Sequence, residues 1–140
     1  MMSKTFTQNI EGYWRDINKG GLPSYSGVYF VYTATYNKNN DTVTLNRLIY
    51  IGTADNVNSR IAGHEKDANW RRYLKAGEEL CFSCTEVDNY NRERVEAAYI
   101  YKHQPPVNTD CKASFNYDTT RVISTGETAL LNTDFTIYRT

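Results

Sequence analysis

Two stretches decide the fold: Gly27-Val28-Tyr29-Phe30-Val31-Tyr32-Thr33-Ala34-Thr35-Tyr36 and Leu48-Ile49-Tyr50-Ile51-Gly52. Both are rich in β-branched and aromatic residues, which fit a pleated surface packed on its neighbours. Between them, Asn37-Lys38-Asn39-Asn40-Asp41 is a run of turn formers, and Thr42-Val43-Thr44-Leu45 begins the return. The segment therefore reads as one antiparallel hairpin with long arms.

Downstream of the hairpin, Asp55 or Asn56 can cap a helix running through Arg60 and His64. A second helical piece is expected over Ala68–Ala76, stopping at Gly77. Residues 79–87 read as a third strand, and residues 90–103 as the third helix, with Asp88 or Asn89 as its cap. Gln104-Pro105-Pro106 must end that helix, because proline lacks the amide donor and clashes with the preceding turn. Upstream, Ile10, Tyr13, Trp14 and Ile17 recur at helical spacing, which predicts a helix within residues 6–18 closed by Gly20-Gly21. Residues 120–125 and 134–139 are two further candidate strands. The expected fold is α+β: a small antiparallel sheet of three core strands, extended by C-terminal strands, with flanking helices. One domain is expected over residues 1–140, with an N-terminal helix in 1–21, a core over about 25–110 and a C-terminal extension over 113–140.

Composition narrows the function classes. The chain has 140 residues, 40% hydrophobic and 14% aromatic, too apolar for wholesale disorder. Its 16 Lys and Arg balance 16 Asp and Glu, so any basic surface must be a local patch. No stretch approaches the ~20 apolar residues of a membrane span. The N-terminus lacks an apolar leader, and a cytoplasmic location is expected. The three cysteines make no disulfide framework. Cys81 and Cys84 are spaced like half a zinc site, but three residues apart on a strand they face opposite ways, so they are expected to be buried thiols.

An ordered set of polar residues runs through this scaffold. Gly27-Val28-Tyr29 opens one strand and Tyr50-Ile51-Gly52 closes the next; Arg60 follows Tyr50 by ten residues and His64 follows Arg60 by four. Glu96 lies in the third helix, followed by Pro105 nine residues on and Asn108 twelve residues on. This set resembles the GIY-YIG nucleases, which include homing endonucleases, some restriction enzymes and the incision subunit of bacterial excision repair. The chain departs from the pattern at Val28, which stands for isoleucine, and in the 21 residues from Tyr29 to Tyr50, a longer separation than in minimal members.

The resemblance implies an endonuclease that hydrolyses DNA phosphodiesters by direct attack of water, leaving 5′-phosphate and 3′-hydroxyl ends. It implies one divalent ion, Mg²⁺ or Mn²⁺, held by Glu96. A lone carboxylate with waters and substrate oxygens suits Mg²⁺, which dehydrates reluctantly. Arg60 is suited to phosphate, because guanidinium is always charged and grips it bidentately. Tyr50 is the candidate base or water-orienting group, with Tyr29 in support; a nearby cation such as Arg60 can lower a tyrosine pKa. His64, one helical turn past Arg60, can accept a proton or bond a phosphate. Gly27, Gly52 and Asn108 are expected to have structural, positioning roles. Tyr29, Tyr50, Arg60, His64 and Glu96 are expected to share one cleft.

Outside the motif, Trp70, Arg71, Arg72 and Lys75 form the best basic patch with aromatics, suited to phosphate contact and base stacking. The competing reading puts Trp70 and Leu74 in the core of an amphipathic helix. His103 has no motif position. With Arg60 and Lys102 added, the cationic face remains small. Binding to random duplex is therefore expected at on the order of 10⁻⁴–10⁻⁶ M, and recognition is expected to need a partner protein, an oligomer or a special DNA structure. The alternative function is a catalytically inactive nucleic-acid-binding or interaction module on the same fold.

Overall fold

Lys4–Arg15 forms strand β1 in the computed structural model, which describes residues 2–140. The helix expected within residues 6–18 is therefore corrected to a strand; only Asp16–Gly21 is helical, as a short 3-10 turn. The cause is a period of two across the first half of the segment: Phe6, Gln8 and Ile10 are buried, while Thr5, Thr7, Asn9 and Glu11 are exposed. Gln8 hides that alternation because it is polar. Its amide is buried and satisfied, donating to Thr85 Oγ1 at 2.9 Å and to the Glu86 carbonyl at 2.9 Å. Ile17, which supported the helical spacing, is 76% exposed.

The remaining elements are β2 (Gly27–Asn37), β3 (Thr42–Ala54), α1 (Val57–Ala62), α2 (Asp67–Arg71), β4 (Glu79–Glu86), α3 (Arg92–His103), β5 (Thr120–Gly126) and β6 (Asp134–Ile137). The sheet has six strands in the order β3-β2-β4-β1-β5-β6. The pairing is antiparallel except for β1 with β5, which is parallel. Thus β1 is the joint of the sheet: its residues 4–10 pair with β5 and residues 11–15 with β4. The expected α+β class holds, with the three-strand antiparallel core enlarged to six strands by β1 and the C-terminal pair.

Both faces of β2 are covered, which explains its unbroken apolar run. Val28, Phe30, Tyr32 and Ala34 pack on one side with Val95, Ala98 and Tyr99 of α3. Tyr29 and Val31 pack on the other with Val57 and Ile61 of α1 and Trp70 of α2. Cys81 and Cys84 are buried on opposite sides in the same way, and burial pushes both thiols up to about 11.

Three helical expectations shift. Asn56 does cap α1, accepting from the Ser59 amide at 3.1 Å, but the helix ends at Ala62, so His64 lies beyond it rather than on its face. The second helix ends at Arg71, not Ala76. Asn91 stands at the N-cap of α3, and Asp88 supports that end by accepting from the Asn91 amide at 3.2 Å. After α3, the Pro105–Asn108 segment lies along β3, the outer strand. The Val107 amide bonds the Ile49 carbonyl at 3.0 Å, which covers an edge that would otherwise be open.

Candidate functional site

Two glycines let the hairpin ends close on their neighbours. A Cβ on Gly27 would stand 2.1 Å from the Thr85 carbonyl oxygen of β4. A Cβ on Gly52 would stand 2.3 Å from the ring of Tyr29, which lies across that position. No side chain fits at either place, so the glycines flanking Tyr29 and Tyr50 have a packing cause. Asn108 mimics a strand partner: its Oδ1 accepts from the Ile51 amide at 2.9 Å, and its Nδ2 donates to the Ile51 carbonyl at 2.8 Å.

Between the glycines, an aromatic cluster holds His64. The Tyr29 and Tyr50 ring centroids are 6.3 Å apart, and the His64 imidazole lies 5.9 and 5.5 Å from them and 4.4 Å from Trp70. The His64 side chain is fully buried. The Lys66 amide donates to Nδ1 at 3.0 Å, so in the neutral ring the proton sits on Nε2. That N–H then faces the Tyr29 oxygen at 2.6 Å and donates to it. Burial, with Arg60 nearby, lowers the His64 pKa to about 4, which keeps the ring neutral. With both nitrogens engaged and a fully buried side chain, His64 holds Tyr29 and the 63–66 loop.

The tyrosines differ. Tyr29 is 1% exposed, whereas Tyr50 is half-buried and lines a cavity of about 80 Å³ with Glu96, Lys66, Asn108 and Asp110. This cavity straddles the β3 edge. Tyr50 reaches it from the α1/α2 side of the sheet, Glu96 from α3 on the other side, and Asn108 from the covering segment. Arg60 does not bring either phenol below its ordinary value. Burial dominates, raising Tyr29 and pushing Tyr50 up to about 12, against a lesser opposing pull from Arg60. The expectation that a cation activates a tyrosine is therefore reversed by desolvation.

Arg60 itself is engaged. Its guanidinium makes a bidentate pair with the exposed Glu65 carboxylate at 2.5 and 2.7 Å, which holds Glu65 down at about 2. Glu96 is the opposite case: among the described residues, no hydrogen bond or ion pair holds its carboxylate. Burial, helped by the charge of Glu93, raises its pKa to about 7. An unpaired carboxylate in a cavity wall, with Asp110 beside it, fits one hydrated divalent cation, which supplies the missing counter-charge. Among the described residues no group of three or more His, Cys, Asp or Glu is placed to hold a metal ion.

The proposed basic patch does not form as expected. Trp70 is completely buried, packing 5.5 Å from Tyr50 and 6.1 Å from Phe82, so it cannot stack on a base. The core reading of Trp70 is the one that holds. Arg71 is taken by Asp16 at 3.0 Å and Asp67 at 2.8 Å. Arg72 and Lys75 remain exposed. His103 is structural, bonding the Tyr99 carbonyl at 2.8 Å and accepting from the Asn132 amide at 2.9 Å. Lys66, Glu65 and Asp110 stand at the site without having been singled out in the sequence. The one signal was adjacency to His64, and it carries no geometry.

A family model described as the GIY-YIG catalytic domain matches residues 25–109, which span both tyrosine tripeptides, Arg60, His64, Glu96 and Asn108. Neither a curated protein nor a solved structure matches the chain. No helix among the described residues is long and apolar enough to cross a membrane. The match covers well over half of the 140 residues, including every glycine and tyrosine whose packing is described above, and the chain belongs to the GIY-YIG nuclease family.

Proposed function

We propose that this protein is a metal-dependent endonuclease cutting DNA to 5′-phosphate and 3′-hydroxyl ends, with residues 1–140 acting as one catalytic domain. One observation carries the reading: Glu96, partly buried and without an ion-pair partner among the described residues, lines one small cavity with Tyr50, and both lie inside the matched region. Glu96 would hold a single Mg²⁺ or Mn²⁺, which when bound neutralises charge on the phosphate and the departing 3′ oxygen.

The chain's own residues do the rest. Tyr50, too weak an acid to ionise near neutrality, orients the attacking water through its oxygen. Tyr29 is fixed by the Nε2 proton of His64 and packs beside Tyr50, so both are positioning residues. Arg60 releases the exposed Glu65 and takes the phosphate in the same bidentate geometry. Asn108 fixes the β3 edge from which Tyr50 projects. Arg72 and Lys75 are the cations of the former patch still available to the DNA backbone.

The test is nicking of supercoiled plasmid with Mg²⁺ or Mn²⁺ by the purified protein and by Glu96→Ala, with linear, branched and single-stranded substrates alongside. Metal-dependent nicking by the wild type, lost in the variant, is the expected result. Equal activity in both proteins overturns the reading, and no cleavage of any substrate by the wild type favours a binding module.

A further inference from the structure

The cavity that holds Tyr50 and Glu96 has an unused cation in its wall. Lys66 lines it together with Glu96 and Asp110. Among the described residues the Lys66 ammonium has no hydrogen-bond or ion-pair partner, although two carboxylates share its small cavity. The cavity is about 80 Å³, room for two or three waters at ~30 Å³ each.

The backbone keeps this arrangement. The Lys66 amide is bonded to His64 Nδ1, and His64 is buried against Trp70 and Tyr50. Glu65, the preceding residue, turns outward to Arg60. One short loop thus sends the Glu65 carboxylate to solvent and places Lys66 in the cavity lining. The cavity lining combines one cationic side chain, Lys66, with the carboxylates of Glu96 and Asp110. A phosphodiester oxygen on Lys66, with a cation on Glu96, satisfies both kinds of charge at once.

We propose that Lys66 binds a non-bridging oxygen of the scissile phosphate, an assignment that rests on the nuclease reading. It makes Lys66 a substrate contact in a cavity where Arg60 enters the reaction only after leaving Glu65. The variant Lys66→Ala keeps the amide that bonds His64, so its melting temperature stays at the wild-type value.

Two measurements test the assignment. With Mn²⁺ and supercoiled plasmid, Lys66→Ala loses on the order of 10²-fold in kcat/KM, the effect of removing one preorganised charge donor, and Lys66→Arg recovers part of it. Without metal, fluorescence anisotropy on a labelled duplex compares Glu96→Gln with Glu96→Gln/Lys66→Ala over a salt series. The slope of log affinity against log salt becomes shallower by ~0.9, one phosphate contact, in the double variant. An unchanged slope, or Lys66→Ala cleaving at the wild-type rate, overturns the assignment while leaving the nuclease reading intact. A wild type that fails to cleave, with the slope change present, removes the nuclease reading and leaves Lys66 as a phosphate contact.

Discussion

Glu96 is a destabilising residue in the metal-free protein, and replacing it with glutamine should make the fold more stable. Burial raises its carboxyl from an ordinary 4.5 to about 7. Each unit is worth ~1.4 kcal/mol, so the native state disfavours the ionised form by about 3 kcal/mol. The side chain is partly exposed, and solvent screening reduces the expected effect to about 2 kcal/mol. The sign follows from proton linkage. Between the two pKa values the native carboxyl keeps a proton that the unfolded chain has released, so wild-type stability falls as pH rises from 4.5 to about 7. Above that range the cost is complete; below it the carboxyl is neutral in both states. Glu96→Gln lacks this cost throughout. For 140 residues, at roughly 3 °C per kcal/mol, the variant should melt about 6 °C higher at pH 8 and close to wild type at pH 4. Calorimetric melts of both proteins across that range, in chelator, measure it. Added Mn²⁺ should then raise the wild type and leave the variant unmoved. Equal melting temperatures at pH 8, or parallel pH profiles, would refute both the buried-charge argument and the cation site built on it.

Other perturbations follow from the same geometry. Glu65→Gln frees Arg60 for DNA, so random-duplex affinity should rise and its salt slope should steepen by ~0.9 in anisotropy titrations; no change would show that Arg60 does not face the phosphate path. Gly52→Ala forces a methyl into the Tyr29 ring and should cost about 1–3 kcal/mol in denaturant unfolding, with plasmid nicking reduced in the fraction that stays folded. Asn108→Ala leaves the Ile51 amide and carbonyl without partners and should cost about 2–3 kcal/mol; a loss under about 0.5 kcal/mol would mean that water replaces both bonds.

Much of this protein was legible in the order of its residues. The β2–β3 hairpin, β4, α3 and the strands β5 and β6 all announce themselves through local composition, because β-branched runs, turn formers and the Gln104-Pro105 stop act within a few residues. The family, too, is carried by short tripeptides and spacings, and the buried carboxylate at Glu96 is visible as a charge within Val95-Glu96-Ala97-Ala98. What local pattern could not convey was decided by distant neighbours. Strand β1 takes its state from β4 and β5, its partners more than 60 residues away, and its central Gln8 can be buried only because Thr85 and Glu86 accept its amide. The fates of the cations were equally remote from the sequence. Arg71 is neutralised by Asp16, 55 residues distant, Trp70 is withdrawn into the core, and Arg60 is paired with Glu65. Lys66 instead lines the cavity with Tyr50 and Glu96 and has no ion-pair partner among the described residues. Charge pairing and burial depend on which side chains the folded sheet brings together, and that is a property of three-dimensional packing rather than of spacing along the chain.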